Sequence, residues 1–302
     1  ALAALNTARS LGDEPAYISQ MVRSAGAFMA THALVRVLAQ GEPSPDVLMA
    51  AQRLLAEDAE EPLLLYAVRG ERAGMDLFME AVQGGQLKFS EVRAMLRMQR
   101  FLQPPSDSIV PKDALESLQF MGSIRSHRAK LLRFHTQLVE IGKLAKEEQF
   151  ARIAELEAAS DPEGSSWVLD VFGKPGCKVA AGFIRNCAYD RCAAVAMALE
   201  RYRRDHGDWP SSIQSLVPLY MGKIPLDPFD GNPLHYCRFN EGVVIYSVGV
   251  DGVDNGGQID RKATQGSDQG LDFGFRLWDV KRRRQPAKPF KMPQRDDGGI
   301  NG

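Results

Sequence analysis

The chain has 302 residues, of which 44% are hydrophobic and 25% are charged, and its formal net charge is −1. This composition is typical of a globular protein, and the length allows two domains of ordinary size. The small net charge disfavours a nucleic-acid-binding protein that acts through its overall charge. The sequence holds no stretch of about 18 apolar residues, so we predict no transmembrane helix in it.

The first half of the chain has the pattern of successive helices. Asp13 and Pro15 mark the start of one helix, and Gly41 marks its end. Apolar residues recur at helical spacing within it, namely Ile18, Met21, Val22, Ala25, Phe28 and Met29. Capping residues, glycines and prolines predict further helices from residue 44, over 60–82, from 90 to before Pro104, and over 111–160.

A stretch rich in Pro, Gly and Ser, residues 161–166, is the best candidate for a domain boundary. We therefore predict a helical domain over 1–165 and an α+β module over 166–280. The remaining residues, 281–302, are basic and then Gly-rich, which predicts a poorly ordered tail. Because the basic run 281–284 has no interleaved aromatic residues, it favours a solvated tail over a binding patch.

The second half of the chain predicts one long helix followed by a small antiparallel sheet. The helix begins after Pro175-Gly176 and ends at Gly207, a natural left-handed position. Strands over 234–239 and 243–248 form a hairpin, and 271–277 form a third strand. One face of the helix is apolar and is expected to pack on the sheet: Ile184, Ala188, Cys192, Val195, Leu199 and Tyr202.

The strand over 243–248 leads into a loop rich in Gly, Asp and Asn. Carboxylates and carbonyls in such a loop can form the oxygen-rich shell that Ca²⁺ prefers. The alternative is a solvated hairpin loop in which Asp and Asn cap their own backbone. The spacing excludes an EF-hand, because aligning Gly256 with its required glycine puts Lys262 where a bidentate Glu is needed.

Three motifs in residues 178–278 resemble the major pseudopilin of type II secretion systems, a relative of type IV pilins. The first is Ala-Leu-Glu-Arg-Tyr-Arg from residue 198 with His-Gly-Asp-Trp-Pro from residue 206. The others are Ile-Pro-Leu-Asp-Pro-Phe-Asp-Gly-Asn-Pro over 224–233 and Tyr-Ser-Val-Gly-Val-Asp-Gly over 246–252. The resemblance covers about one third of the chain and implies a long helix on a small sheet.

The same resemblance implies a structural Ca²⁺ in the last loop. Carried over by motif, Asp251 is a side-chain ligand, and the carbonyls of Val248 and Val250 are backbone ligands. Asp272 is the next best match, but the family has two adjacent acids there and this chain has Leu271 before Asp272. One ligand is therefore missing or is supplied by Asp254, Asn255 or Asp260.

The long helix departs from the pseudopilin pattern. It carries Arg185, Asp190 and Arg191, so it cannot be an apolar membrane-spanning stem of about 20 residues. The whole chain resembles large bacterial envelope proteins that carry a pseudopilin-like C-terminal module, a family with no assigned activity. That resemblance implies an extracytoplasmic protein anchored by a segment upstream of Ala1. Its partners would be other envelope proteins or further subunits of a homo- or hetero-oligomer.

We recognise no catalytic motif in the sequence, so the sequence indicates no particular reaction. His235 and Cys237 lie on one face of a strand, where side chains two apart are about 7 Å from each other, too far for a Cys–His nucleophile. We predict a non-enzymatic structural or interaction component with a Ca²⁺-stabilised loop. The alternative is an enzyme or solute-binding protein with its site between the two domains.

Four cysteines, an even number, are compatible with an oxidising compartment. Cys192 lies on the apolar stripe of the long helix, and Cys237 lies in the sheet that packs on it. We therefore expect that these two cysteines can face each other.

Overall fold

A computed structural model describes residues 1–88, 91–92, 114–159, 167–259 and 272–284, without the side chains of 114–121 and 167. The fold is α+β, as predicted. Within these ranges the helices are α1 Leu2–Arg9, α2 Tyr17–Gln40, α3 Pro45–Glu60, α4 Leu63–Gln83, α5 Ala114–Gly142, α6 Lys146–Ala159, α7 Trp167–Phe172 and α8 Lys174–His206. The strands are β1 His235–Phe239, β2 Gly242–Ser247 and β3 Phe273–Trp278, with short 3-10 helices at Ile213–Leu216 and Val280–Arg282.

The three strands form an antiparallel sheet in the order β1-β2-β3, which confirms the predicted hairpin and third strand. In the β1–β2 pair, His235 lies opposite Tyr246. Gly242 begins β2 with a φ of 147°. A Cβ atom on this residue would lie 2.0 Å from the carbonyl oxygen of Leu277. Only glycine fits this turn, because any side chain would collide with β3.

Helix α8 is the central element of the fold. Its residues 190–200 are buried on every side. Helices α2 and α3 pack against α8, and strands β2 and β3 pack against it as well. Leu199 is fully buried as predicted, while Tyr202 at the end of the stripe is half-buried. The helix ends at Gly207 with a φ of 78°, which confirms the predicted left-handed C-terminus.

One buried cluster joins residues from both sides of the predicted domain boundary. It contains Leu34 of α2, Leu55 of α3, Leu199 of α8 and Phe275 of β3. Residues 160–166, where the boundary was predicted, lie outside the described residues. The N-terminal helices thus pack directly on the α+β module, and the division into two domains stays a prediction.

The helical stretch predicted over 111–160 is two helices, so that prediction is wrong in its continuity. The chain turns at 143–145 between α5 and α6. At the end of α5, a Cβ on Gly142 would lie 3.1 Å from the backbone of Leu65. After the turn, Lys146 Nζ donates to the carbonyl of Glu61 at 2.6 Å. The helix predicted from Ser90 lies largely outside the described residues.

Helix α2 exposes its apolar stripe. An apolar stripe ordinarily faces the core, yet Ile18, Val22 and Met29 are 76%, 57% and 64% exposed. The buried side of α2 carries alanines and leucines. It also carries four polar side chains, those of Gln20, Arg23, Ser24 and Thr31. Within the described ranges, no helix combines the length and apolar content needed to cross a bilayer.

Three buried polar residues of α2, namely Arg23, Ser24 and Thr31, have partners on α3 or α8, while Gln20 donates to the carbonyls of Gly12 and Glu14 before the helix. Arg23 Nη2 donates to Asp58 Oδ1 of α3 at 3.0 Å, and Thr31 Oγ1 donates to Asp190 Oδ1 of α8 at 3.1 Å. Burying a polar group without a hydrogen bond costs several kcal/mol in the least favourable reference states. These contacts offset that cost, and they determine which side of α2 faces inward.

The basic run 281–284 is not wholly solvated, which corrects the sequence prediction. Arg283 is buried and its guanidinium pairs with Glu200 of α8. Its Nε also donates to the carbonyl of Trp278 at 2.9 Å. Glu200 thus pairs with both Arg203 and Arg283, and the second of these contacts joins residues so distant in sequence that local composition does not reveal it. Residues 285–302 lie outside the described residues.

Candidate functional site

The candidate site is the loop that follows β2 and returns to β3. Ile259 forms a bridge with Asp272, which closes the described part of the loop onto the sheet. Gly257 has a φ of 75°, and a Cβ there would lie 3.1 Å from the Tyr246 ring. A glycine is required at this position, because a side chain would both strain the backbone and strike the ring.

Asp272 is the buried anchor of the loop. Its carboxylate accepts hydrogen bonds from the N–H of Asn255 at 3.1 Å and from the N–H of Gly257 at 2.7 Å. Burial raises the pKa of Asp272, the two N–H groups oppose that rise, and the negative charge of Asp254 adds to it. Asp272 therefore holds the loop against β3 at an electrostatic cost.

Asp254 is the second carboxylate of the same loop. Its Oδ1 accepts the hydroxyl of Tyr246 at 3.0 Å and the N–H of Gly256 at 2.8 Å. Its Oδ2 lies 3.3 Å from His235 Nδ1. The hydrogen bond from Gly256 is the largest cause of a lowered pKa at Asp254. Asp254, Asp272, His235 and Tyr246 thus form one polar group at the end of the hairpin.

The other residues implied as ligands have different surroundings. Asp251 is exposed, and its Oδ1 accepts the N–H of Val253 at 3.2 Å, which is the pattern of a residue capping its own turn. Val250 is partly exposed and Val248 is buried. Asp260 lies outside the described residues. The structure brings together Asp254 and Asp272, and the full ligand set stays a prediction.

Asp227 is a loop-supporting residue that the sequence analysis treated only as part of a turn. It is fully buried, and its carboxylate accepts the hydroxyl of Ser247 and the N–H of Val248, each at 2.9 Å. These bonds fix the end of β2, where the candidate loop begins. An Asp in a Leu-Asp-Pro turn was the available signal, but its partner is 20 residues away in sequence.

The oxygen donors of the loop are of the kind that Ca²⁺ binds, but its side chains supply fewer of them than the ion requires. Ca²⁺ takes six to eight oxygen ligands, with carboxylates and main-chain carbonyls common among them. Asp254 and Asp272 supply carboxylates. Over the described ranges, no group of three or more His, Cys, Asp or Glu side chains is arranged to hold a metal. The rest of the shell would therefore come from main-chain carbonyls or water.

The predicted proximity of Cys192 and Cys237 is wrong. Cys192 is buried in the core around α8. Cys237 pairs with Val244 in the sheet, whereas its neighbour Tyr236 packs against the core. Because side chains alternate across a strand, Cys237 points to the face away from α8. All four cysteines are free in the structure.

A second candidate site is an open groove of about 450 Å³ between α2 and α8. Phe28 and Tyr189 contribute apolar surface to its walls, and Lys178, Arg185 and Asn186 contribute polar groups. Beneath it, where α2, α3, α6 and α8 meet, the interior holds a cavity of only about 10 Å³. That volume admits about one water molecule, so the side chains around this cavity are closely packed.

Comparison of the chain with family models, with curated proteins and with solved structures finds no match. The pseudopilin resemblance therefore stays a prediction that rests on the three motifs.

Proposed function

We propose that this protein is a non-enzymatic structural or interaction component of the bacterial cell envelope, and that Ca²⁺ stabilises its C-terminal loop. The observation that carries the proposal is the pairing of two carboxylates across the loop. Asp254 lies in the segment leaving β2, and Asp272 immediately precedes β3. A cation bound by both would link the two ends of the loop and offset their mutual repulsion.

Close packing of the helices below the open groove supports a structural role over a catalytic one. A binding site between the two predicted domains would need an enclosed cleft with convergent polar groups. At this junction Arg23, Asp58 and Asp190 are instead engaged in contacts between helices. Other envelope proteins, or further copies in an oligomer, remain the proposed partners.

Thermal unfolding with and without metal tests the calcium part of the proposal. Extracellular modules bind Ca²⁺ with Kd of about 10⁻⁴–10⁻³ M. With a Kd of about 0.1 mM, about 1 mM Ca²⁺ stabilises the native state by roughly 1.4 kcal/mol. Because the module shares its core with the N-terminal helices, the rise in Tm should be about 2–4 °C, as for a larger cooperative unit.

Three variants make the melting test specific. Asp254→Ala and Asp272→Ala should each abolish the calcium shift, and Asp46→Ala, at an exposed acid on α3, should leave it intact. Mg²⁺ should stabilise the protein much less, since it resists dehydration and requires a tight octahedron. Equal melting curves in excess Ca²⁺ and in chelator, for protein first stripped of metal, would show that the loop is a solvated turn.

Protease accessibility in cells tests the proposed location. Protease added to spheroplasts should degrade an extracytoplasmic protein while a cytoplasmic marker stays intact. Protection of both proteins until the membrane is lysed would contradict the envelope part of the proposal. The melting test would still decide the calcium part.

The groove between α2 and α8 favours a second candidate, an enzyme or solute-binding protein. Its aromatic walls and the two cations Lys178 and Arg185 suit an apolar ligand with an acidic group. Titration with an apolar fluorescent sulfonate would then show one saturable site that Phe28→Ala weakens. Absence of saturable binding would remove this candidate.

A further inference from the structure

Helix α2 carries a stripe that nothing in the described chain covers. Ile18, Met21, Val22, Ala25 and Met29 are all exposed along one side of the helix. At 1.5 Å per residue, the stripe from Ile18 to Met29 is about 17 Å long. A connected apolar surface of this kind on a folded protein marks an interaction site more often than scattered exposed residues do.

The stripe is symmetric about Ala25. Val22 and Phe28 lie three residues to either side, and Met21 and Met29 lie four to either side. Spacings of three and four residues share one face of a helix. If two copies of α2 cross antiparallel at Ala25, each of these side chains meets its symmetric counterpart. The small Ala25 at the crossing allows the two helices to approach closely.

The charges at the ends of the stripe follow the same symmetry. Glu14, three residues before the helix begins, and Arg36, near its end, each lie eleven residues from Ala25 in the sequence, and Arg36 is three helical turns from it. Both residues are exposed, and neither forms an ion pair within the described part of the chain. In an antiparallel pair, Glu14 of one copy would face Arg36 of the other at both ends.

We propose that α2 is the interface of a two-fold symmetric dimer of this chain, with the two helices antiparallel and crossing at Ala25. A second copy is the occupant that the charges favour, because the stripe has an acid, Glu14, at one end and a base, Arg36, at the other, and two antiparallel copies bring these opposite charges together. The self-complementary surface is what a two-fold interface requires. This inference does not rest on the calcium loop.

The expected dimer is weak. An interface built around one helix per subunit lies at the low end of specific interfaces, below about 1,200 Å² in total. Sedimentation equilibrium of the full chain should therefore show a monomer–dimer equilibrium at concentrations up to about 100 µM, the range of micromolar dissociation constants.

Charge substitutions test the geometry of the proposed dimer. Ala25→Glu places two like charges together on the symmetry axis and should abolish dimerisation. Glu14→Arg and Arg36→Glu should each weaken the dimer at least several-fold. The double variant Glu14→Arg with Arg36→Glu should restore it, because each new cation again faces a new anion. Leu77→Glu, at an exposed apolar position on α4, is the matched control and should leave the dimer unchanged.

Several outcomes would overturn the proposal. A monomer at every concentration would do so, as would a dimer that survives Ala25→Glu. Failure of the double swap to restore association would exclude the antiparallel register. Monomeric protein that binds anionic vesicles, and loses that binding on Ala25→Glu, would assign the stripe to a lipid surface. Circular dichroism of each variant confirms that α2 is still folded.

Discussion

Helices α2 and α8 are both long and pack against each other, yet α8 buries its apolar stripe while α2 exposes one. Residues 190–200 of α8 are buried all round, and most of them are small or apolar. Helix α2 buries Arg23 and Thr31 and exposes Ile18 and Met29. The apolar pattern thus predicts that both segments are helices, but it predicts the buried face correctly only for α8.

The difference lies in the partners available to polar groups. Arg23 is paired with Asp58, and Thr31 is bonded to Asp190, so both side chains are hydrogen-bonded where they are buried, although Nε of Arg23 has no partner among the described residues. Both partners are on other helices, far away in sequence. Pairing between distant residues therefore overrides the local apolar periodicity that would otherwise orient α2.

The largest expected effect comes from breaking the buried ion pair. Arg23→Ala leaves the buried Asp58 carboxylate without its closest cation and should lower the free energy of unfolding by about 3–5 kcal/mol. Arg53→Ala removes an exposed partner of Glu57 and should cost less than about 0.5 kcal/mol. Urea denaturation measures both. Equal small losses would show that α2 does not depend on its polar side.

Removing apolar side chains from the two helices sharpens the comparison. Leu199→Ala on α8 should cost about 2–5 kcal/mol, because Leu199 is fully buried. Met29→Ala on α2 should cost less than about 0.5 kcal/mol, the usual size for a surface substitution. Urea denaturation at a protein concentration that keeps the chain monomeric measures both changes. Comparable losses would mean that the stripe of α2 is buried in solution.

The acid between the two helices predicts a pH dependence. Burial raises the pKa of Asp190 well above its usual value, and the negative charge of Asp58 adds to the rise. A raised pKa in the folded state means that stability is fully present below the unfolded pKa of about 3.9 and falls as pH rises through the folded value. Asp190→Asn should remove this loss, so the variant should gain stability over wild type as pH rises. Denaturation midpoints that run parallel for both proteins would contradict the assignment.

The smallest expected effect is on thiol reactivity. Cys177, Cys187 and Cys192 of α8 are buried, and Cys237 on the outer face of the sheet is partly exposed. A thiol reagent should modify Cys237 in the native protein and the other three only after unfolding. Cys237→Ser should then abolish the native reaction. Rapid native labelling of the α8 cysteines would show that the helix is less enclosed than described.

The sequence predicts those features that depend on local pattern. The hairpin follows from β-branched runs around a turn, and the end of α8 follows from Gly207. The apolar stripe predicts that Leu199 is in the core. The α+β fold class was predicted from the same local patterns, and the structure confirms it.

The features that sequence analysis missed depend on pairs that are distant in the chain. Arg283 is buried in an ion pair with Glu200, which also pairs with Arg203, and Cys237 is turned from the core by the register of β1 with β2. In the candidate loop, Asp272 was predicted to be important from a motif. Its contacts with the N–H groups of Asn255 and Gly257 required the folded loop.

Direct titration of metal-stripped protein with Ca²⁺ is the sharpest test of the functional proposal. Calorimetry should detect one saturable site with a Kd of about 10⁻⁴–10⁻³ M. Asp254→Asn should weaken that site, because it removes one of the two paired carboxylates while preserving shape. Asp46→Asn, at an exposed acid on α3, should not. Heats that never saturate, or a site that survives the loss of both Asp254 and Asp272, would contradict a calcium-stabilised loop.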